Sequence, residues 1–424
     1  MSDSEEDSSG ATSTCADWPI TEECLQAVLK EHHKDADPAH IVVLDFSVKP
    51  GCETGESVLS DILAVTVKYS LRDDPGGTTH SLSFIIKLLP QDPFSRFFVT
   101  EAQFDLREIK FYTQVVPDLE VFKNDVLIDD SENVTLPIPK CYYAHYSAGE
   151  TEPELTPPSS VLVLENIKPN GFKSVEFSAG LDLRQAKAAV EAIAQVHALS
   201  LSLKISEGKP LSEKYPFLFQ TSRASDSYQQ LVERGLPQLF QFLESKNELQ
   251  DVLDALNDLR PHTKTIIENL LAAEEPMALI THTDFWCNNL MFREVDGKCE
   301  CAVLDWQMVT YSRPTNDLSL LLVSSVSADL RRNHTDELLD VYWEKLTDTC
   351  RKLKVDIEEA LKYDRKTLGE DFKKGQLLAL LLCIGSVDLA LGNAQMEERL
   401  IELLQDLNKE GLLQAEVASS TTST

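Results

Sequence analysis

Residues 282–291 read His-Thr-Asp-Phe-Trp-Cys-Asn-Asn-Leu-Met, and after a turn residues 302–307 read Ala-Val-Leu-Asp-Trp-Gln. Asp284 and Asn289 stand five residues apart, and Asp305 ends a short apolar strand 21 residues beyond Asp284. Met277 to Ile280 is apolar and strand-like, so it delivers His282 and Asp284 into a loop. Two carboxylates and an amide in this order are the parts that phosphoryl transfer requires. One carboxylate orients an attacking hydroxyl, while the amide and the second carboxylate hold magnesium on a nucleotide. Asp284 is therefore the expected catalytic base, with Asn289 returning from the same loop to the metal and Asp305 reaching it from the next strand. His282 reads either as a group in the chemistry or, more ordinarily, as a brace hydrogen-bonded to the loop backbone.

Working outward, Lys87 lies in Phe84-Ile85-Ile86-Lys87-Leu88-Leu89, apolar on both sides. On a strand it shares a face with Ile85 and Leu89, so its ammonium either snorkels to water or meets a carboxylate. A helix is expected from about residue 100 to 116, ended by Pro117. On its wheel Phe104, Phe111, Tyr112 and Val115 form an apolar arc, with Gln103, Arg107, Lys110 and Gln114 on the polar side. Glu108 falls inside the apolar arc. A carboxylate there is solvated at the rim or requires a cation, for which Lys87 is the nearest candidate in sequence. Upstream, the turn-rich run Lys49 to Ser57 includes Gly51 and Gly55, whose bare backbones let amides approach phosphate, although any hairpin has such a turn. Asp317, after the turn at Pro314, reads equally as a helix N-terminal carboxylate or as a brace of the Asp284 loop.

At 424 residues the chain is long enough for two lobes. Its 39 basic and 70 acidic residues leave a formal charge of −31, which opposes nucleic acid and anionic membrane surfaces as partners. The nine cysteines are scattered, and Cys299 and Cys301 lack zinc-knuckle spacing, so idle thiols in a reducing compartment are expected. The N-terminal residues Met1 to Asp7 have no signal-peptide character, and the run Leu377 to Ile384 is too short to span a bilayer. A cytoplasmic location is the expectation.

Residues 1–17 and 413–424 are expected to be disordered tails. Between them, 18–166 reads as a β-rich lobe with one helix, with strand patterns at 58–69, 81–89, 142–146 and 161–164. Residues 167–412 read as a helical lobe carrying the Asp284 loop, with further helices near 181–203, 226–245, 248–273, 316–330, 334–353, 367–391 and 396–412. Phe217, Phe219, Leu239, Phe240 and Phe242 are either core or the apolar walls of a pocket.

Together these residues resemble the ecdysteroid kinase-like family, relatives of choline kinases and aminoglycoside phosphotransferases. The likeness runs from about residue 40 to 410. It is carried by Gly55-Glu56 with Ser60-Asp61-Ile62, by Ile86-Lys87, by Arg107-Glu108-Ile109-Lys110-Phe111-Tyr112, by Leu162 to Phe172, and by the Asp284 and Asp305 segments. The resemblance implies a bilobal, protein-kinase-like α+β fold that uses ATP and Mg2+. It implies that Gly55, Ser60, Lys87 and Glu108 serve the phosphates, and that the backbone from Glu165 to Ile167 meets adenine. Asp284 would be the base, with Asn289 and Asp305 the magnesium ligands. The implied reaction is phosphorylation of a small-molecule hydroxyl, on an ecdysteroid-like steroid or xenobiotic alcohol. A choline- or aminoglycoside-type kinase with a cationic substrate, and a ligand-binding pseudokinase, are the alternatives. Thr283 stands where the family has glycine, and Ser57 and Leu59 also depart from its nucleotide loop. Only 11 residues separate Asp305 from Asp317, too few for an activation loop and a peptide-binding platform. Nothing in the sequence fixes the oligomeric state.

Overall fold

The computed structural model describes residues 20–33, 40–52, 59–72, 78–127, 134–149 and 159–414. Gly55, residues 73–77 and 150–158, the expected tail 1–17 and all but the first two residues of the expected tail 413–424 lie outside the described residues. The chain divides into two compact units, the first comprising Met1–Val99 with Lys140–Asn166 and the second Thr100–Pro139 with Ile167–Thr424.

The first unit is a five-stranded antiparallel sheet. Its strands are β1 (Ile41–Pro50), β2 (Asp61–Leu71), β3 (Thr79–Leu88), β4 (Cys141–Ser147) and β5 (Ser159–Glu165), in the order β1-β2-β3-β5-β4. Helix α1 (Glu22–His32), capped by the Thr21 hydroxyl, buries Leu25, Val28 and Leu29 on one face of the sheet. Strand periodicity sends Phe84, Ile86 and Leu88 into that core and leaves Lys87 on the opposite face. Sequence reading missed α1 and β1. The latter is an edge strand whose Leu44, Phe46 and Val48 are exposed, so it has no core alternation to reveal it.

Helix α2 (Pro93–Ala102) leads into α3 (Phe104–Lys110), a π turn Phe111–Val115, and α4 (Val116–Val126). The expected stop at Pro117 is therefore wrong. Proline sits in the first turn of α4, where its missing N–H costs nothing, while the break falls at Gln103 in the left-handed region. Residues 100–139 cluster with the helical unit, whereas the sequence reading groups them with the sheet. Two contacts show why: Phe111 stacks on Trp306 with ring centroids 4.2 Å apart, and Arg107 donates to the Gln220 carbonyl at 3.0 Å. Arg107, expected on the polar side of its helix, is buried.

The second unit continues with the short β6 (Lys173–Ser174), then α5 (Leu183–Glu207), α6 (Leu211–Lys214), α7 (Thr221–Glu244), α8 (Gln250–Leu259) and α9 (Thr263–Leu271). Next come β7 (Leu279–Thr281), β8 (Leu290–Val295), β9 (Lys298–Val303) and β10 (Thr310–Ser312). The chain finishes with α10 (Pro314–Ser324), α11 (Ala328–Lys352), α12 (Ile357–Leu361), α13 (Arg365–Gly385) and α14 (Ala394–Lys409). Helix α5 starts on a capping box between Asp182 and Gln185 and ends where Gly208 takes φ +61°. By composition it is apolar enough to cross a membrane, but that apolar stretch is mostly buried within the unit, as in a core helix. Helix α11 packs along α5, and α13 packs on α10 and α7. Leu413, expected to begin a loose tail, is fully buried, because an apolar pair follows α14 and folds back onto the unit.

Candidate functional site

Strand β7 pairs with β10, with Thr281 opposite Thr310, and β8 pairs with β9. These two short ladders hold the loop 282–289 between them. Within it, the Asn289 Nδ2 donates to both the main-chain oxygen and Oδ2 of Asp284, each at 2.9 Å. The five-residue spacing thus closes a ring that fixes the Asp284 carboxylate by one oxygen. The Leu304 amide donates to the Asn289 carbonyl at 2.8 Å, which sets Asp305 beside the loop. Asp305 itself takes φ +61°, an unusual left-handed conformation that turns the chain from β9 into the Trp306–Met308 turn.

His282 is a brace. Its Nδ1 accepts the Asp284 amide at 3.2 Å, so its Nε2 carries the hydrogen and donates to the Leu304 carbonyl at 2.8 Å. One imidazole therefore ties the Asp284 segment to the Asp305 segment.

Asp317, in the first turn of α10, is fully buried and resolves its two sequence readings. Its Oδ2 accepts the His282 amide at 2.8 Å and its Oδ1 the Thr283 amide at 2.7 Å. Behind it, His197 of α5 contacts Oδ2 through Nε2 at 3.0 Å and the Tyr342 hydroxyl of α11 through Nδ1 at 2.8 Å. Sequence reading expects a helix near 181–203 and gives His197 within it no role in the site. The available signal was a histidine where an aliphatic residue would pack.

Thr283 has φ +67°, a conformation that costs a β-branched residue about 1–3 kcal/mol and costs glycine nothing. Its hydroxyl meets those of Thr310 at 2.6 Å and Thr281 at 3.0 Å, and Ser312 joins the same buried cluster. The threonine replaces glycine's freedom with a hydroxyl network.

In the first unit, Lys87 lies between Ile62 of β2 and Leu162 of β5. The Gly51 amide donates to the Ile62 carbonyl at 2.8 Å, and Ser60 is buried at the start of β2. Gly51, Ser60 and Lys87 therefore share one end of the sheet. The Glu165 amide is committed to the Lys140 carbonyl and the Asn166 amide to that of Ser83. In the second unit Glu108 is buried on α3, and Ile167 packs on Met291 and Ala302 beside the Asp305 strand.

Asp284 also borders a cleft within the second unit. It encloses roughly 690 Å³, counting space open to solvent, among Phe177, Trp286 and residues of α10, α13 and α14. Leu320, Val323, Leu382, Val387, Leu400 and Leu403 make its wall apolar, and Asp284 and Arg399 are the charged residues that line it. The phenylalanines and Leu239 proposed as walls do not line it. Phe217 and Leu239 are core, and Phe219 stacks on Tyr311. Burial pushes the Cys383 thiol up to about 12 and pulls the Arg399 guanidinium below its ordinary value.

The sequence matches the ecdysteroid kinase-like family over residues 54–355, more than half of the chain. The protein is a member of that family. An ecdysteroid kinase-like chain belongs among small-molecule phosphotransferases, and its strand lysine, Asp284 loop and Asp305 follow in that order through an α+β chain of two compact units. Among solved structures it is similar to a Plasmodium vivax ethanolamine kinase, at 11% identity and a TM-score of 0.40, covering 93% of this chain and 91% of that one. It is similar to the amicoumacin kinase hAmiN, solved with AMP-PNP, Ca2+ and Ami, at 12% identity and a TM-score of 0.41, covering 93% and 98%. A Cryptosporidium parvum choline kinase is similar at 11% and 0.39, covering 93% and 99%. No curated protein matches.

The donor set fits magnesium. Asn289 spends its Nδ2 on Asp284, so its side-chain Oδ1 is the atom it can offer a cation, and the backbone bond from Leu304 brings the Asp305 segment to the same loop. Mg2+ takes one or two carboxylates together with substrate phosphates, and among the described residues there is no cluster of three His, Cys, Asp or Glu to form a closed cage.

Proposed function

We propose that this protein transfers the γ-phosphoryl group of ATP to a hydroxyl of a small, largely apolar molecule, of the ecdysteroid-like steroid or xenobiotic alcohol class, in the cytoplasm. The observation that carries this reading is the Asp284–Asn289 ring at the rim of an apolar cleft. Asn289 orients the Asp284 carboxylate through Oδ2, and that carboxylate accepts the acceptor hydroxyl's proton as the hydroxyl oxygen bonds to phosphorus. The bond from the γ-phosphorus to the bridging oxygen breaks and ADP leaves. Magnesium held by Asn289 and Asp305 would screen the phosphate charge. Lys87 supplies a cation for the nucleotide phosphates, and Asp317, His282 and His197 position the loop without touching substrate.

The test is ADP release from Mg-ATP with hydroxysteroids and xenobiotic alcohols as acceptors, comparing wild type with Asp284→Asn. Loss of a general base lowers kcat by about 10²–10⁴-fold. A variant within tenfold of wild type would remove Asp284 from the role.

A further inference from the structure

The cleft beside Asp284 holds a cation that its own fold leaves half used. Arg399 projects from α14, and its Nη2 donates to the Phe177 carbonyl at 3.2 Å. Among the described residues no carboxylate lies within ion-pair distance of it, and no acceptor meets its Nε or Nη1. The contrast with its neighbours is sharp. Arg331 and Arg332 both bind Asp406 on the same helix, and Arg332 also binds Glu402. In a chain with 70 acidic and 39 basic residues, an arginine with no carboxylate, set in an apolar cleft, is an unusual placement. Guanidinium stays charged even where burial opposes it, and on the half-buried Arg399 an anion in the cleft would replace water at its remaining donors.

Two more observations point to a ligand. The Trp286 indole lines the same cleft, and its Nε1 is buried with no acceptor among the described residues. The aromatic corner of the cleft is also already taken: the Arg399 guanidinium lies 4.9 Å from the Phe177 ring centroid, and Phe177 meets Trp286 edge-on. An ammonium substrate would find its aromatic face occupied by a like charge, and the remaining carboxylate would be the base itself. The residues that α13, α14 and their connection contribute to this wall all lie beyond residue 355, where the family match ends.

We propose that this cleft takes an apolar alcohol that also carries a carboxylate, with Arg399 as the specificity-determining residue that reads the carboxylate while the hydroxyl faces Asp284. The proposal rests on the kinase reading for the role of the hydroxyl, but the binding it describes can be measured without ATP. A matched series tests it on the full-length chain: ω-hydroxydecanoate, decanediol and ω-aminodecanol, titrated by calorimetry and by Trp286 fluorescence. The hydroxy acid should bind at least about tenfold tighter than the diol, and the amino alcohol weakest, as a charge-assisted arginine–carboxylate pair in an apolar cleft implies. Arg399→Met, which keeps the stem, should abolish the gap between acid and diol. Equal or tighter binding of the diol or the amino alcohol, or a gap that persists in Arg399→Met, overturns the proposal. Should that variant fail to fold, competition in the wild type decides: decanoate should displace the bound hydroxy acid at about tenfold lower concentration than decylammonium. Equal potency overturns it. Arg399-dependent binding of ω-hydroxydecanoate without phosphoryl transfer from Mg-ATP would sink the kinase reading and leave this one standing. Preferred phosphorylation of the diol would do the reverse.

Discussion

Replacing Asp317 by asparagine tests whether the Asp284 loop is held from behind. The two carboxylate oxygens accept the His282 amide at 2.8 Å and the Thr283 amide at 2.7 Å, and Oδ2 also meets His197 at 3.0 Å. Asparagine keeps the shape but has one acceptor oxygen, so one buried amide hydrogen must face an NH2 group. A hydrogen bond to a charged acceptor contributes about 1.5–3 kcal/mol, and a buried donor left unsatisfied costs about 1–3 kcal/mol. Asp317→Asn should therefore destabilise the protein by about 3–5 kcal/mol, a large part of the roughly 5–15 kcal/mol typical of a folded protein. Urea unfolding measures the total. Hydrogen exchange localises it: amides 282 and 283 should lose protection by more than the rest of the unit. In the folded fraction kcat should fall more than KM for ATP changes, because Asp284 lies one residue past the freed amides. A loss below about 1 kcal/mol with unchanged exchange at 282 and 283 would refute the brace.

Three further outcomes follow from the same geometry. Thr283→Gly should be more stable than Thr283→Ala by about 1 kcal/mol in urea unfolding, because both lose the hydroxyl cluster but only alanine keeps the left-handed strain; the opposite order, normal at ordinary positions, would remove strain from the explanation. Lys87→Ala should raise KM for ATP or lower kcat while leaving acceptor binding intact, since Lys87 lies on the sheet face away from the α1 core; unaltered nucleotide kinetics would remove Lys87 from phosphate binding. Burial pushes the Cys350 and Cys383 thiols up to about 12, so their alkylation by iodoacetamide should be slow at neutral pH and climb about tenfold per pH unit through pH 10. The sign for stability is the same: the folded state holds these protons more tightly, so stability is full below the unfolded thiol pKa and declines as pH rises toward 12. A reactivity plateau near pH 9 would contradict that environment.

The parts of the site readable from sequence are those fixed by short-range spacing. Asp284 and Asn289 meet because a five-residue loop folds back on itself, and Asp305 follows because a hairpin returns the chain. Lys87 stands out in sequence as a charge in an apolar strand and Glu108 as a carboxylate in an apolar arc, and the structure puts the first on β3 and buries the second on α3. The parts that escaped depend on partners distant in the chain. His197 and Asp317 are 120 residues apart, and His197 and Tyr342 are 145 apart. Each side chain alone looks like an ordinary member of its helix. Arg107 escaped for the same reason: amphipathic periodicity puts it on the wet side, and a carbonyl from the segment before α7 makes that side buried. Pro117 misled because proline is compatible with the first turn of a helix as well as with the end of one.

The division of labour within the second unit follows from where these groups come from. The Asp284 loop is held by Asp317 of α10, backed by His197 of α5 and Tyr342 of α11, all inside the family-matched segment. Polar bonds buried in this way have few alternatives, because any substitution leaves a donor or acceptor stranded. The loop's chemistry is therefore locked by contacts that resist change one residue at a time. The cleft wall from α13 and α14 is different. It is made largely of apolar side chains, which exchange with one another at little cost in stability, around a single guanidinium. Changes there can alter which alcohol is admitted without disturbing how its hydroxyl is met. On this arrangement Arg399 substitutions should act on acceptor preference and Asp317 substitutions on turnover. The two sets should combine additively, since they share no bonding partner and sit on opposite sides of Asp284 in the bonding scheme.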